Sequence, residues 1–182
     1  MTRLEQTLLI VEDDPGLQRQ LKWCFGNEYQ LATAETQASA IAQLRRYEPA
    51  VVMLDLGLPP DPSNASEGLK TLSEILSLAP NTKVVVVTGN DEKQIAVQAV
   101  GMGAYDFYQK PVDPELLGLI LARAFRLHEL EQENQVLSRV GDAAPLEGIL
   151  ANSPEMLAAC RTVEKIAPTD VTSLILGESG TG

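Results

Sequence analysis

Acidic residues stand where apolar runs end in this chain: Glu12, Asp13 and Asp14 follow TLLIV, and Asp55 closes AVVMLD. Two further apolar runs end on Thr88-Gly89 and on Lys110-Pro111. Carboxylates that converge without compensation repel one another and titrate above their ordinary range. A hard divalent cation with oxygen ligands removes that conflict, and Mg2+ held by a few carboxylates, waters and a phosphoryl group suits this set. With the cation in place, one ionised carboxylate can act as nucleophile toward a phosphoryl donor. A lysine and a hydroxyl close by would neutralise and hydrogen-bond the transferred oxygens. Taken singly, each motif is weak. EDD commonly opens a solvated helix favoured by its dipole, KP is commonly a turn, and a threonine after a strand is commonly a cap. Their succession on separate strand ends is what points to chemistry.

The elements that would position these residues are legible. TLLIV (7–11), YQLATA (29–34), AVVMLDL (50–56), KVVVVTG (83–89) and YDFYQ (105–109) are apolar and rich in strand formers. Continuous rather than alternating runs suggest strands covered on both faces, as in a parallel sheet. Between them lie helical spacings. Leu17, Leu21 and Phe25 recur after Pro15, and Ala40, Ile41 and Leu44 follow a capping Thr36. Leu69, Leu72 and Leu76 recur in EGLKTLSEILSLA, and DEKQIAVQAVGMG ends on glycines suited to a helix C-terminus. Strands alternating with helices describe a doubly wound α/β domain with a five-stranded parallel sheet over about residues 5–125. Ligands of such sheets sit outside the carboxyl ends of the strands, where the acidic set lies.

The pattern LLIVEDD…VVMLDLGLPP…VVVVTGN…GAYDFYQKPVD resembles the flavodoxin-like receiver domain of two-component response regulators, over residues 1–125. The resemblance implies that Asp55 is the phosphoacceptor and that Glu12 and Asp13 form the acidic pair. Mg2+ would be held by Glu12, Asp13, Asp55 and the backbone carbonyl of Gly57, with Asp13 a direct ligand. Thr88 becomes the switch hydroxyl, Lys110 the site lysine and Phe107 the switch aromatic; without the resemblance Phe107 reads equally as a core residue. A cis Lys110–Pro111 bond is also implied, and Gly89 meets the need for a small residue where the phosphoryl group enters. One departure stands out: the loop glycine after the phosphoacceptor falls at Gly68, thirteen residues beyond Asp55, so DLGLPPDPSNASEG makes an extended loop beside the site. That loop, with GAYDFYQKP…AFRLHELE, resembles response regulators associated with PEP-CTERM and exosortase systems.

From Pro114 to about Arg139 only Gly118 interrupts a helical pattern, giving a linker helix over 114–140. Ile120, Leu127 and Asn134 share one heptad position and Leu130 and Leu137 the other, a candidate dimer seam in which Asn134 would fix register. Arg123 breaks the first heptad, and a solvated helix end with chance leucine spacing is the alternative. After GDAAPLEG, the segment 141–182 carries a capped amphipathic helix, NSPEMLAACRTVEKIA, a strand, VTSLIL, and the glycine loop Gly177, Glu178, Ser179, Gly180, Thr181 and Gly182. The loop satisfies G-x-x-x-x-G and lacks the following lysine of a phosphate-binding loop. Residues from about Leu150 resemble the opening of the AAA+ ATPase domain of NtrC-like sigma-54-dependent transcription activators. Some 35 residues are too few for an ATPase core, so we expect none here. In such activators, contacts to sigma-54 RNA polymerase and DNA belong to later domains.

The net charge of −11 opposes a broad nucleic-acid footprint on this part of the protein. Cys24 and Cys160 lie far apart with no metal-ligand spacing, suggesting reduced thiols in the bacterial cytoplasm. The N-terminus reaches acidic residues after a very short apolar run, so neither a signal peptide nor a membrane span is expected. The single histidine, His128, falls on the linker helix, where an exposed polar role is expected. The functional expectation is a regulatory switch rather than an enzyme. A sensor histidine kinase would phosphorylate Asp55 with Mg2+, altering conformation and homodimerisation and thereby a sigma-54-dependent activator. The alternatives are an acid-cluster phosphohydrolase, which needs a second aspartate where Gly57 stands, and a P-loop NTPase, which needs the missing lysine.

Overall fold

A computed structural model describes residues 6–60, 65–89, 93–141, 153–169, 171–172 and 174. They divide into two compact units, Met1–Glu131 and Gln132–Gly182, each considered by itself. The first holds five strands, β1 (Thr7–Val11), β2 (Gln30–Ala34), β3 (Val51–Asp55), β4 (Lys83–Thr88) and β5 (Asp106–Gln109). All pair in parallel, in the order β2-β1-β3-β4-β5. The strand order reverses between β1 and β3, which places the ligand crevice at their carboxyl ends. Helices α1 (Pro15–Phe25), α2 (Gln37–Tyr47), α3 (Ser66–Leu78), α4 (Lys93–Gly101) and α5 (Pro114–Gly141) alternate with the strands. This is the flavodoxin-like, doubly wound fold expected from the continuous apolar runs.

Both faces of the sheet are covered, which is why β1, β3 and β4 carry continuous apolar runs. On one face Leu9, Val52, Leu54, Val84 and Val86 pack with Leu44 of α2 and Leu72 and Ile75 of α3. On the other, Leu8, Ile10, Met53 and Val85 meet Leu21 and Phe25 of α1 and Leu117, Leu121 and Phe125 of α5. Tyr29 stacks on Phe125 with ring centroids 4.6 Å apart and planes within 11°. Helix starts follow local chemistry. Asp14 caps α1 by accepting from the Gly16 amide at 2.6 Å, and Thr36 and Ser39 form a reciprocal capping box on α2. Gly68 of α3 lies against the chain just past Asp55: a Cβ there would sit 2.4 Å from Leu56 Cα and 2.5 Å from its carbonyl oxygen. Only glycine allows that approach.

Within the first unit, polar ties hold helix α5 to the amino-terminal ends of the strands. Gln6 Nε2 donates to Glu129 Oε1 at 2.7 Å, Lys83 Nζ pairs with Glu131 Oε2 at 2.5 Å, and His128 Nδ1 lies 3.0 Å from the Asn81 carbonyl oxygen. His128 is therefore half-buried and engaged, not the exposed residue expected from its place on a linker. Ile120, expected on the dimer seam, instead packs against the core with its neighbours Leu117 and Leu121, because the helix is still seated on the sheet there.

In the second unit, α6 (Pro154–Ile166) starts as expected, with the Ser153 hydroxyl accepting from the Met156 amide at 3.1 Å. The strand expected over VTSLIL is not seen at residues 171, 172 and 174, where Val171 and Leu174 are 67 % and 82 % exposed. A strand requires a ladder, and the sheet among the described residues is made of β1 to β5. Gly177, Glu178, Ser179, Gly180, Thr181 and Gly182 lie outside the described residues, as do 61–64 of the long loop. Among the described residues no helix is long and apolar enough to cross a membrane.

Candidate functional site

The sheet register brings the acidic residues together. Val11 pairs with Leu54, so the next residues on β1 and β3, Glu12 and Asp55, emerge side by side at the carboxyl edge. Asp55 is in turn paired with Val87, one residue before Thr88. Carboxylate oxygens of Glu12, Asp13 and Asp55 all lie within 4.8 Å of one another. Glu12 and Asp55 are 1 % and 7 % exposed, so water does little to screen their repulsion.

Lys110 is the cation that answers them. Its Nζ lies 3.1 Å from Glu12 Oε2 and 3.1 Å from Asp55 Oδ2, and its backbone amide donates to the Thr88 carbonyl at 2.8 Å. One ammonium against three carboxylates leaves the cluster short of positive charge. Burial and the neighbouring Asp55 push Glu12 up to about 7, against the opposing pull of Lys110 and the Asp14 amide. Burial alone would lower Lys110, yet the charges of Asp55 and Glu12 outweigh it and hold the lysine above its ordinary value. An all-oxygen, net-negative donor set is what Mg2+ selects, so these residues fit a hard divalent cation.

The other expected residues are placed as follows. Thr88 is 2 % exposed, and its hydroxyl donates to the Gly89 carbonyl at 3.0 Å. Gly57 follows the buried Leu56 in a turn closed by the Leu58 amide on the Leu56 carbonyl at 3.0 Å. Phe107 is 39 % exposed on β5, so it is a surface aromatic and not a core residue. The Lys110–Pro111 peptide is cis, and so is Pro59–Pro60. Leu127 and Leu130 are exposed on α5, as is Asn134; the side chain of Leu137 lies outside the described residues. A cleft of about 350 Å3 beside the cluster runs between Asp14, Gly16 and Leu17 of the α1 start and Lys110, Pro111 and Val112.

Sequence reasoning missed two residues that fix this site. Tyr108 accepts the Asp113 amide on its hydroxyl at 3.0 Å, tying the β5–α5 connection that carries Lys110, while Asp113 caps α5 through the Glu115 amide at 2.9 Å. Gln18 is buried on α1 and donates to the Glu12 carbonyl at 2.6 Å. Its signal was present: Gln18 occupies a core position in step with Leu21 and Phe25, where a polar residue requires a partner.

Residues 8–122 match the response regulator receiver domain, and the chain belongs to that family. It is 34% identical over 183 residues to the alginate biosynthesis transcriptional regulatory protein AlgB of Pseudomonas syringae pv. tomato, covering 100% of this chain and 39% of that protein. It is 33% identical over 177 residues to the regulatory protein AtoC of Escherichia coli, covering 96% of this chain and 37% of that protein. The chain thus spans under two fifths of the length of these curated relatives. Among solved structures, NtrX from Brucella abortus in complex with ADP superposes with a TM-score of 0.68 at 29% identity, over 90% of this chain and 35% of that one. The isolated receiver domain of that NtrX superposes at 0.61 and 31% identity, over 65% of this chain and 98% of the domain.

Proposed function

We propose that Asp55 accepts a phosphoryl group from a sensor histidine kinase, with Mg2+ bound by Glu12, Asp13, Asp55 and the Gly57 carbonyl. The observation that carries this reading is the Asp55 carboxylate at the sheet's carboxyl edge, 3.1 Å from Lys110 and clustered with Glu12 and Asp13. An Asp55 carboxylate oxygen attacks phosphorus, an O–P bond forms, and the bond from phosphorus to the donor imidazole breaks, leaving that nitrogen with the electron pair. Bound Mg2+ supplies the positive charge that offsets the anionic phosphoryl oxygens. Lys110, already beside Asp55, hydrogen-bonds an oxygen of the new acyl phosphate. The Thr88 hydroxyl exchanges the Gly89 carbonyl for another phosphoryl oxygen, and this movement, with reorientation of the exposed Phe107, alters the surface around β4 and β5.

That altered surface regulates homodimerisation through α5, by the exposed Leu127, Leu130 and Asn134 together with Leu137. In a longer protein of the relatives' length, working in the bacterial cytoplasm, the switch would control an ATPase that remodels sigma-54 RNA polymerase at DNA. Support for that context is the resemblance of residues 150–182 to the opening of such ATPase domains. The phosphohydrolase alternative is not favoured, since Gly57 stands where its second aspartate is needed. Incubation with labelled acetyl phosphate and Mg2+ tests the reading. One phosphoryl group per wild-type chain and none on Asp55→Asn is the expected result; undiminished labelling of the variant would move the acceptor elsewhere. Multiple-turnover phosphate release from ATP would contradict the switch assignment.

A further inference from the structure

We propose that Gln18 is a positioning residue for the cation site: its side-chain amide sets the bearing of the Glu12–Asp13 turn. This deepens the site reading above and rests on it. The β1–β2 ladder ends where Val11 pairs with Ala34, one residue before the acidic pair. Beyond that point the chain is held by other means. The Glu12 amide donates to the Ala34 carbonyl at 3.0 Å. Gln18 Nε2 donates to the Glu12 carbonyl at 2.6 Å and reaches the same Ala34 carbonyl at 3.4 Å. The Asp14 amide in turn lies 3.3 Å from Glu12 Oε1. Asp13 is therefore flanked by two residues held by hydrogen bonds, which fixes the stretch of backbone that carries its carboxylate.

Gln18 is 5 % exposed and shares the buried face of α1 with Leu21 and Phe25. An amide there has reason to persist only if its hydrogen bonds matter, because burying it unpaired is costly. The donor is also neutral. A lysine or arginine could reach the same carbonyl, but its charge would stand beside the place where the cation binds and oppose it. A primary amide ties the turn without competing for the carboxylates, so Gln18 serves both the geometry and the charge of the site.

Gln18→Met keeps length and volume and removes the donor. Mg2+ affinity is measured by titration calorimetry on the full chain, and exchange of the Glu12 and Asp14 amides is followed in metal-free buffer. The expected result is at least a tenfold weaker Mg2+ Kd, the usual size of such effects on metal sites, with faster exchange at those amides and a folded chain at the assay temperature. Wild-type-like affinity in the folded variant overturns the positioning role and leaves the cation site standing. Failure of the wild-type chain itself to bind Mg2+ overturns the site reading, and this inference with it. Should Gln18→Met not fold, Gln18→Asn, which retracts the same amide by one methylene, gives the same readout, and unchanged Mg2+ binding there refutes the proposal.

Discussion

Gly68→Ala puts the close packing beneath the site to a quantitative test. The added Cβ would lie 2.4 Å from Leu56 Cα, whereas ordinary contact begins at 3.4 Å, so about 1 Å of separation must be found. The obstacle is backbone, and that backbone is pinned: the Leu56 amide donates to the Val87 carbonyl at 3.3 Å and the Leu58 amide to the Leu56 carbonyl at 3.0 Å. Helix α3 must therefore retreat, drawing Leu72 and Ile75 away from the sheet, both of which are fully buried. A gap of about 0.5–1 Å forfeits a quarter to a half of each dispersion contact. Overpacking of this kind costs about 1–3 kcal/mol, here at the upper end, while alanine's better helix propensity returns at most about 1 kcal/mol. We expect a net loss of about 2 kcal/mol in urea unfolding at unchanged m-value. Gly101→Ala is the control, since nothing lies within 4 Å of a Cβ there; it should be neutral or mildly stabilising. If Gly68→Ala matched or exceeded the wild type, propensity would outweigh the clash and the packing argument would be wrong.

In metal-free buffer, Glu12 holds its proton up to about pH 7 in the folded chain but only to its ordinary 4.5 when unfolded. The folded state then binds the extra proton between those values, so stability should fall as pH rises from 4.5 to 7. Glu12→Gln should flatten that component in thermal unfolding scans, and an unchanged slope would assign it to other groups. Lys110→Met leaves Glu12 and Asp55 facing each other without their ammonium. We expect about 1–3 kcal/mol of lost stability in chelator, largely restored by millimolar Mg2+; no recovery would mean the cation does not bind at this cluster. Leu130, 44 % exposed on α5, gives a dimer test by sedimentation. Leu130→Glu should be monomeric where the wild type dimerises, and a wild-type monomer at high concentration would remove the seam while sparing the receiver assignment.

The strands β1, β3 and β4 could be read in advance because both faces of each are buried, which leaves runs such as LLIV and VVVV with no polar alternation to confuse them. Strand β5 is legible too, though Asp106–Gln109 has no fully buried residue and its aromatics serve the rim as much as the core. Residue types at the acidic cluster were legible, but their distances were not. Nothing in the order of residues says that Lys110 reaches both Glu12 and Asp55 equally. For Gln18 the sequence shows a polar residue on the buried face of α1, while its partner, a backbone carbonyl, leaves no mark in a side-chain motif. The α5 seam was misjudged at Ile120 for a related reason. Heptad spacing identifies an apolar stripe without saying whether the sheet or a second helix covers it, and here the sheet takes the first part.

The ties at the foot of α5 have a mechanical consequence. Strand β4 is tied at both ends, above to the connection between β5 and α5 and below to helix α5. Above, the Lys110 amide bonds the Thr88 carbonyl; below, Lys83 meets Glu131 and the Asn81 carbonyl meets His128. A strand held at both ends shifts along its length where one held at a single end would swing. From Pro114 to Glu131 the helix covers about 26 Å at 1.5 Å per residue. A displacement around Thr88 and Lys110 is therefore resisted at the far end of β4, where Glu131 and His128 hold it.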